Sequence, residues 1–215
     1  MGSYAIKEMF LTLQGEGLQA GVRAVFLRFT GCNLWSGREQ DRAHAECTFC
    51  DTDFVGTDGD GGGRFPDADT AADQAWALWL TGIEGQGGHP LIVITGGEPM
   101  LQLDARLVEA LKARGFRVAI ETNGTLPVAK GVDWICVSPK AGTKIVQRSG
   151  DELKLVWPQQ NMDLRAMESW DFKHLLVQPM AGVAADEARA AAIDFVLKNP
   201  RWRLSIQTHK VAGLR

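Results

Sequence analysis

Two apolar, partly alternating runs open the chain, YAIKEMFLTLQ and VRAVFLRFTG, and their alternation predicts strands. The stretch VGTDGDGGGRFPDAD, residues 55–69, is dense in Gly and Asp and predicts loop. Apolar positions then recur at helical spacing in DTAADQAWALWL, behind a capping Asp69 or Thr70, which predicts a helix. PLIVITGGEP, FRVAIETNG, DWICVSPK, ELKLVW, HLLVQPM and WRLSIQTH follow as short apolar runs, each ending in polar, Gly or Pro residues. Between them, LDARLVEALKARG reads as an amphipathic helix stopped by Gly115. Further helices are expected near Asn161–Trp170 and over the Ala-rich Asp186–Lys198. Strands alternating with helices argue for an α/β fold with a parallel sheet. The nearly continuous apolar character of each strand fits a sheet covered on both faces.

The ends of these strands carry the chemistry. Thr95-Gly-Gly-Glu98, Glu121-Thr-Asn123, Ser138-Pro-Lys140, Gln178-Pro179 and Gln207-Thr-His209 all follow apolar runs. Loops begin at strand ends, so one polar end means little. Five that offer hydrogen-bonding side chains predict a ligand site at the C-terminal edge of the sheet. Cys136, inside DWICVSP, reads as a small core residue. Trp76 and Trp79, three apart on the first helix, read as a packing face.

Composition narrows the class without naming a chemistry. A chain of 215 residues, 45% apolar and 23% charged, fits a single domain over residues 1–215. A net charge of −3 carries no nucleic-acid footprint. There is no apolar run of spanning length, so no membrane partner is expected. MGSYAIKEMF has no apolar h-region, so no signal peptide is expected; MGS is either a cloning remnant or the native start. Four cysteines crowded toward one loop do not resemble a secreted disulfide framework, and a reducing cytoplasm is the expected location.

That loop spans residues 31–54, GCNLWSGREQDRAHAECTFCDTDF, and holds Cys32, Cys47 and Cys50. Three thiolates are one short of a closed zinc site or a fully ligated iron–sulfur cluster. One reading supplies His44 as a fourth zinc ligand. The other is a four-iron cluster held by three thiolates, with one iron open to a small molecule. Cys32 follows Thr30-Gly31 at a strand end, Phe49 precedes Cys50, and a glycine-rich TGGEP ends a later strand.

GCNLW…CTFCDT followed by TGGEP resembles the radical S-adenosylmethionine (SAM) superfamily. The aromatic residue and Cys-x2-Cys are kept, while fourteen residues separate Cys32 from Cys47 where that superfamily usually has three. LQGEG, FLRFTGCNLW, CDTDF, TGGEP, ETNG, VSPK, LVQPM and QTHK together resemble, in order and nearly end to end, the 7-carboxy-7-deazaguanine synthase family within it.

The resemblance implies a partial (β/α) barrel with parallel strands and a reduced set of helices, working as a homodimer. It implies conversion of 6-carboxy-5,6,7,8-tetrahydropterin to 7-carboxy-7-deazaguanine with loss of ammonia, in 7-deazapurine or queuosine biosynthesis. Electrons would come from a donor such as flavodoxin or ferredoxin. A 5′-deoxyadenosyl radical would abstract a hydrogen atom from the substrate, and SAM would be regenerated.

Carried onto this chain, it makes Cys32, Cys47 and Cys50 the ligands of a 4Fe–4S cluster whose open iron is chelated by SAM. It assigns SAM to Phe49, Cys50, Asp51, Gly97, Glu98, Ser138, Pro139, Lys140, Gln178, Pro179, Met180 and Ala181, with Gly96 and Gly97 letting backbone approach closely. It assigns substrate to Leu13, Gln14, Gly15, Glu16, Arg28, Thr95, His209 and the carboxylate of Arg215, and a magnesium ion to Thr52. Glu16 would read the donor edge of the pterin, and the fork of Arg28 would take its carboxylate. Two further readings stand beside this one: a glycyl-radical-enzyme activase, and a zinc-stabilised α/β binding module.

Overall fold

A computed structural model describes residues 3–84, 88–182 and 184–214. Nine strands form one sheet: β1 (Tyr4–Leu13), β2 (Arg23–Phe29), β3 (Gly63–Phe65), β4 (Leu91–Gly96), β5 (Arg117–Thr122), β6 (Trp134–Val137), β7 (Ser149–Trp157), β8 (Asp171–Pro179) and β9 (Trp202–Leu204). Their order is β3-β1-β2-β4-β5-β6-β7-β8-β9. From β2 through β9 every pairing is parallel. Among the described residues five α-helices accompany it: α1 (Ala68–Leu80), α2 (Ala105–Ala113), α3 (Leu164–Glu168), α4 (Ala185–Lys198) and α5 (Thr208–Ala212). This is a partial (β/α) barrel with few helices.

Alternation along the strands sorts the residues onto two faces. Val25, Leu27 and Phe29 of β2, Ile92 and Ile94 of β4, and Val118 and Ile120 of β5 pack with α1 and α2 in one core. Leu153, Leu155, Leu175 and Val177 of β7 and β8 pack with Ala192 and Phe195 of α4 and with Trp202 in a second. Burying each such side chain stabilises the fold by about 1.5–3 kcal/mol. The residues between them face the other way: Ala24, Leu91, Val93 and Ala119 form a smaller apolar floor. Above that floor the inward positions turn polar, and register sets Arg28 opposite Thr95 and Glu121 opposite Cys136.

Helix ends follow their caps. Asp67 accepts from Thr70 N at 2.8 Å, so α1 begins at Ala68, slightly before the expected Asp69 or Thr70. Asp104 accepts from Leu107 N at 3.0 Å, and Gly115 ends the α2 segment at φ +92°. Trp76 and Trp79 pack edge-on against Phe116, as a packing face. Cys136 is buried, 1% exposed.

Three expectations are corrected. The sheet is mixed: β1 runs antiparallel to both β2 and β3, so the parallel series starts only at β2. Residues 63–65 of the Gly/Asp stretch form β3, paired with Tyr4–Ile6. The preceding loop also lies along β1, with Gly59 N donating to Lys7 O (3.0 Å) and Met9 N to Asp60 O (2.8 Å). The approach is so close that a Cβ on Gly62 would sit 2.2 Å from Lys7 O. The helix expected over 161–170 is confined to α3, capped by Asp163.

Candidate active site

The inward polar positions border two adjoining chambers at the C-terminal ends of the parallel strands. The larger, ≈ 570 Å³, is lined by Lys7, Glu8, Leu13, Gln14, Gly15, Glu16, Arg28, Thr95, His209 and Lys210, among others. The smaller, ≈ 200 Å³, is lined by Cys47, Phe49, Cys50, Gly96, Gly97, Ser138, Lys140, Gln178, Pro179, Met180 and Ala181, among others. Glu16, Asp51, Thr52, Thr95, Glu121 and Gln207 border both.

A buried ion network stands at this shared wall. Lys154, on β7, is 3% exposed and donates to Glu16 Oε2 (2.6 Å) and Glu121 Oε2 (2.9 Å). Gln207 Nε2 donates to Glu16 Oε1 (2.8 Å), and Gln14 Nε2 to Glu121 Oε1 (3.3 Å). Burial alone would push the Glu16 carboxyl up. The charge of Lys154, with hydrogen bonds from Lys154, Gln207 and Gln178, outweighs it and holds the carboxyl down at about 2. Burial likewise works against the Lys154 ammonium, but its anionic surroundings, Glu121 and Glu16 among them, hold its pKa well above the ordinary lysine range. Two carboxylates around one ammonium leave a net negative wall, fixed in place.

Arg28 reaches the larger chamber from β2, and its Nε donates to Glu8 of β1 at 2.7 Å. The two are cross-strand partners, so Glu8 orients the guanidinium. Two segments far apart in the chain join over this chamber. Thr208 N and Oγ1 both donate to Gly15 O (2.8 and 3.0 Å), and His209 lies directly against Gly15. Lys210 pairs with Asp51 at 2.6 Å across the mouth.

The cysteine loop meets the smaller chamber. Cys47 is buried, Cys32 and Cys50 are partly exposed, and all are free thiols. Thr52 hydrogen-bonds Cys50 through its N–H and its hydroxyl. A Cβ on Gly97 would sit 2.3 Å from Gly31 O and 2.6 Å from Cys32 Cβ, so the glycine turn seats against the first cysteine. Lys140 donates to Ser138 O (3.0 Å) and Oγ (2.7 Å) beside the Phe49 ring.

Of the residues expected at the site, most border the chambers and three do not. Glu98 is fully buried, and its carboxylate accepts from Met100 N, Thr122 Oγ1 and Asn123 N at 2.7–2.9 Å. It fastens the Gly96–Gly97 turn to the end of β5 and is not available to a ligand. Pro139 is buried and faces neither chamber. Cys32 borders neither chamber, standing behind Gly97. The side chain of Gln178 is engaged with Ser205 (3.0 Å) and Glu16. Arg215 lies outside the described residues. Lys154 was missing from the expected set, while Glu121 and Gln207 entered only as strand-end residues with no role assigned. Lys154 carried a usable signal, a charge between Leu153 and Leu155, and Arg28, between Leu27 and Phe29, carries the same one.

The Radical SAM superfamily model matches residues 40–152. A 7-carboxy-7-deazaguanine synthase of Burkholderia multivorans is 58% identical over 99% of both chains, and one of Caulobacter vibrioides is 56% identical over 99% of both. The chain belongs to the 7-carboxy-7-deazaguanine synthase family. A crystal structure of QueE from Escherichia coli is similar over 96% of this chain and 95% of that one, with a TM-score of 0.68 and 28% identity. Membership of the radical SAM superfamily implies a 4Fe–4S cluster and SAM and displaces the binding-module reading, while the end-to-end likeness to 7-carboxy-7-deazaguanine synthases displaces the activase. The residues fit such a cluster: three soft thiols border or back a chamber floored by side-chain-free Gly96 and Gly97. They do not fit zinc. His44 is exposed on a short 3-10 helix, and among the described residues no three His, Cys, Asp or Glu side chains gather to hold one ion.

Proposed function

We propose that the larger chamber binds 6-carboxy-5,6,7,8-tetrahydropterin and the smaller one SAM, with a 4Fe–4S cluster on Cys32, Cys47 and Cys50, for conversion to 7-carboxy-7-deazaguanine. The supporting observation is that Glu16, Asp51, Thr52, Thr95, Glu121 and Gln207 line both chambers, so that the two adjoin. Product plus ammonia equals substrate in atoms and electrons, so the reaction needs no net oxidant.

The bound cluster and SAM supply the hydrogen-abstracting radical. The protein's share is binding and orientation. The ionised Glu16, fixed by Lys154 and Gln207, accepts hydrogen bonds from the amino and ring N–H groups of the pterin. Arg28, turned by Glu8, takes the substrate carboxylate, and Gln14, Thr95 and the backbone of Leu13 and Gly15 line the ring's remaining edge. His209 and Lys210 close over the chamber and exclude water. Thr52, which lines both chambers, would hold a magnesium ion through its neutral hydroxyl oxygen, and the ion would supply a charge that orients the substrate. Phe49, Asp51, Ser138, Lys140 and the Gln178–Ala181 segment, with Gly97, enclose SAM. A flavodoxin- or ferredoxin-type donor supplies the electron, and the working unit is a homodimer.

Anaerobically reconstituted protein, reduced and mixed with SAM, magnesium and the carboxytetrahydropterin, is expected to release the deazaguanine and ammonia in equal amounts. A reconstituted cluster that cleaves SAM while leaving the pterin unchanged would overturn the substrate assignment.

A further inference from the structure

The fourteen residues between Cys32 and Cys47 have no part in the scheme above, yet they are internally organised. Leu34 N donates to Cys32 Sγ (3.4 Å), while Leu34 O accepts from Glu46 N (3.1 Å) and Cys47 N (3.3 Å). One residue therefore spans the first two cysteines. Trp35 packs edge-on against buried Phe54, ring centroids 5.5 Å apart. The Arg42 guanidinium lies over the Trp35 ring, 4.0 Å from its centroid.

Arg42 is the point where this segment grips the Cys-x2-Cys turn. Its Nη1 donates to Thr48 O and to Cys50 O, each at 3.0 Å. Those carbonyls flank the turn on both sides of Phe49. Its Nε meets both oxygens of Glu39, at 2.9 and 2.8 Å. Stacking, a carboxylate and two carbonyls together use the plane and the edges of a guanidinium, which an ammonium lacks. The Arg42 side chain is 27% exposed and that of its partner Glu39 78%, so the carboxylate is the more screened of the two and a residual positive charge remains on the Nη1 side that faces the turn.

We propose that Arg42 is a positioning residue for the cluster: it braces the Cys47–Cys50 turn in ligand geometry and sets a fixed positive charge beside it that raises the cluster's reduction potential. The charge argument is general, because a nearby cation favours the more negative, reduced cluster, and hydrogen bonding and local charge set such potentials. The proposal rests on Cys32, Cys47 and Cys50 being the ligands.

The test compares wild type, Arg42→Met, Arg42→Lys and Cys47→Ala after identical anaerobic reconstitution. Two readouts are needed without turnover: the rate at which a chelator strips iron, and the midpoint potential from a redox titration followed by electron paramagnetic resonance. Arg42→Met is expected to lose iron at least threefold faster and to titrate at a more negative potential. Arg42→Lys is expected to keep the wild-type potential, since the charge stays, while still losing iron faster. Should the methionine variant take up no iron, the lysine variant carries the test: faster stripping at unchanged potential supports the brace. A wild-type stripping rate in Arg42→Lys and Arg42→Met alike overturns it. Full iron uptake by Cys47→Ala would instead overturn the ligand assignment, and the brace with it.

Discussion

At the scale of single residues, the site depends on a few side chains whose partners decide their state. Glu16 is ionised because Lys154 and Gln207 hold it so against the pull of burial. Glu16→Gln is expected to weaken binding of the carboxytetrahydropterin by about 1–3 kcal/mol, the cost of leaving donors unpaired, with SAM binding nearly unchanged. Calorimetry with each ligand checks this, and equal losses for both would make Glu16 structural. Among the thiols, replacing Cys32, Cys47 or Cys50 with Ala is expected to abolish iron uptake. Cys136→Ala, in the core, and His44→Ala, on an exposed turn, keep it; iron lost in His44→Ala would sink the three-thiolate assignment. Thr52 touches Cys50 and borders both chambers. Thr52→Ala is expected to raise the magnesium requirement of turnover while leaving the cluster assembled, and Thr52→Ser to recover most of the loss. An unchanged magnesium response in Thr52→Ala would remove the metal role.

At the scale of elements, alternation along a strand was the most readable signal. It accounts for Arg28 and Thr95 sharing one face, since their apolar neighbours Leu27, Phe29 and Ile94 pack toward the helices. It was silent on direction, since an antiparallel and a parallel strand carry the same pattern, and so β1 was not seen to run against the rest. β3 was hidden for another reason. Three residues, Gly63–Phe65, have no pattern of their own and are held by the backbone of β1. Glu98 shows the limit of the strand-end rule: it finds polar residues near a site, not which way they point, and this one points into the turn. That turn yields a test. Gly97→Ala is expected to destabilise the apoprotein by about 1–3 kcal/mol, because the new methyl would overlap Gly31 O and Cys32 Cβ. Gly88→Ala, where a Cβ meets nothing within 4 Å, serves as the control and should be neutral in the same urea titration.

At the scale of the whole molecule, the buried charges tie stability to pH. The Glu16 carboxyl falls from 4.5 to about 2 on folding. A lowered carboxylate gives stability that is complete above about 4.5 and is lost as pH falls through about 2. Glu98 and Glu152, pushed up mainly by burial, act with the opposite sign: they destabilise the fold when ionised, and protonation as pH falls relieves that cost. The Glu16 share is therefore read as a difference. Between pH 4.5 and 2 the stability of Glu16→Gln is expected to fall less steeply than that of wild type in parallel denaturant titrations. Identical slopes would mean that Lys154 does not hold Glu16 ionised.

The bonds that join Gly15 and Glu16 to Gln207 and Thr208 have a consequence for the order in which the enzyme becomes competent. Gln207 and Glu16 lie 191 positions apart. On the ribosome, the cysteine loop and the glycine turn emerge long before the residues that finish the pterin chamber. A chain halted before β9 carries all four cysteines and holds Glu16 through Lys154 but lacks Gln207. Such a fragment would keep most of the residues that line the two chambers but none of Gln207, His209 and Lys210. The last residues to be made thus act as a closing latch: the larger chamber is finished only when synthesis is nearly complete.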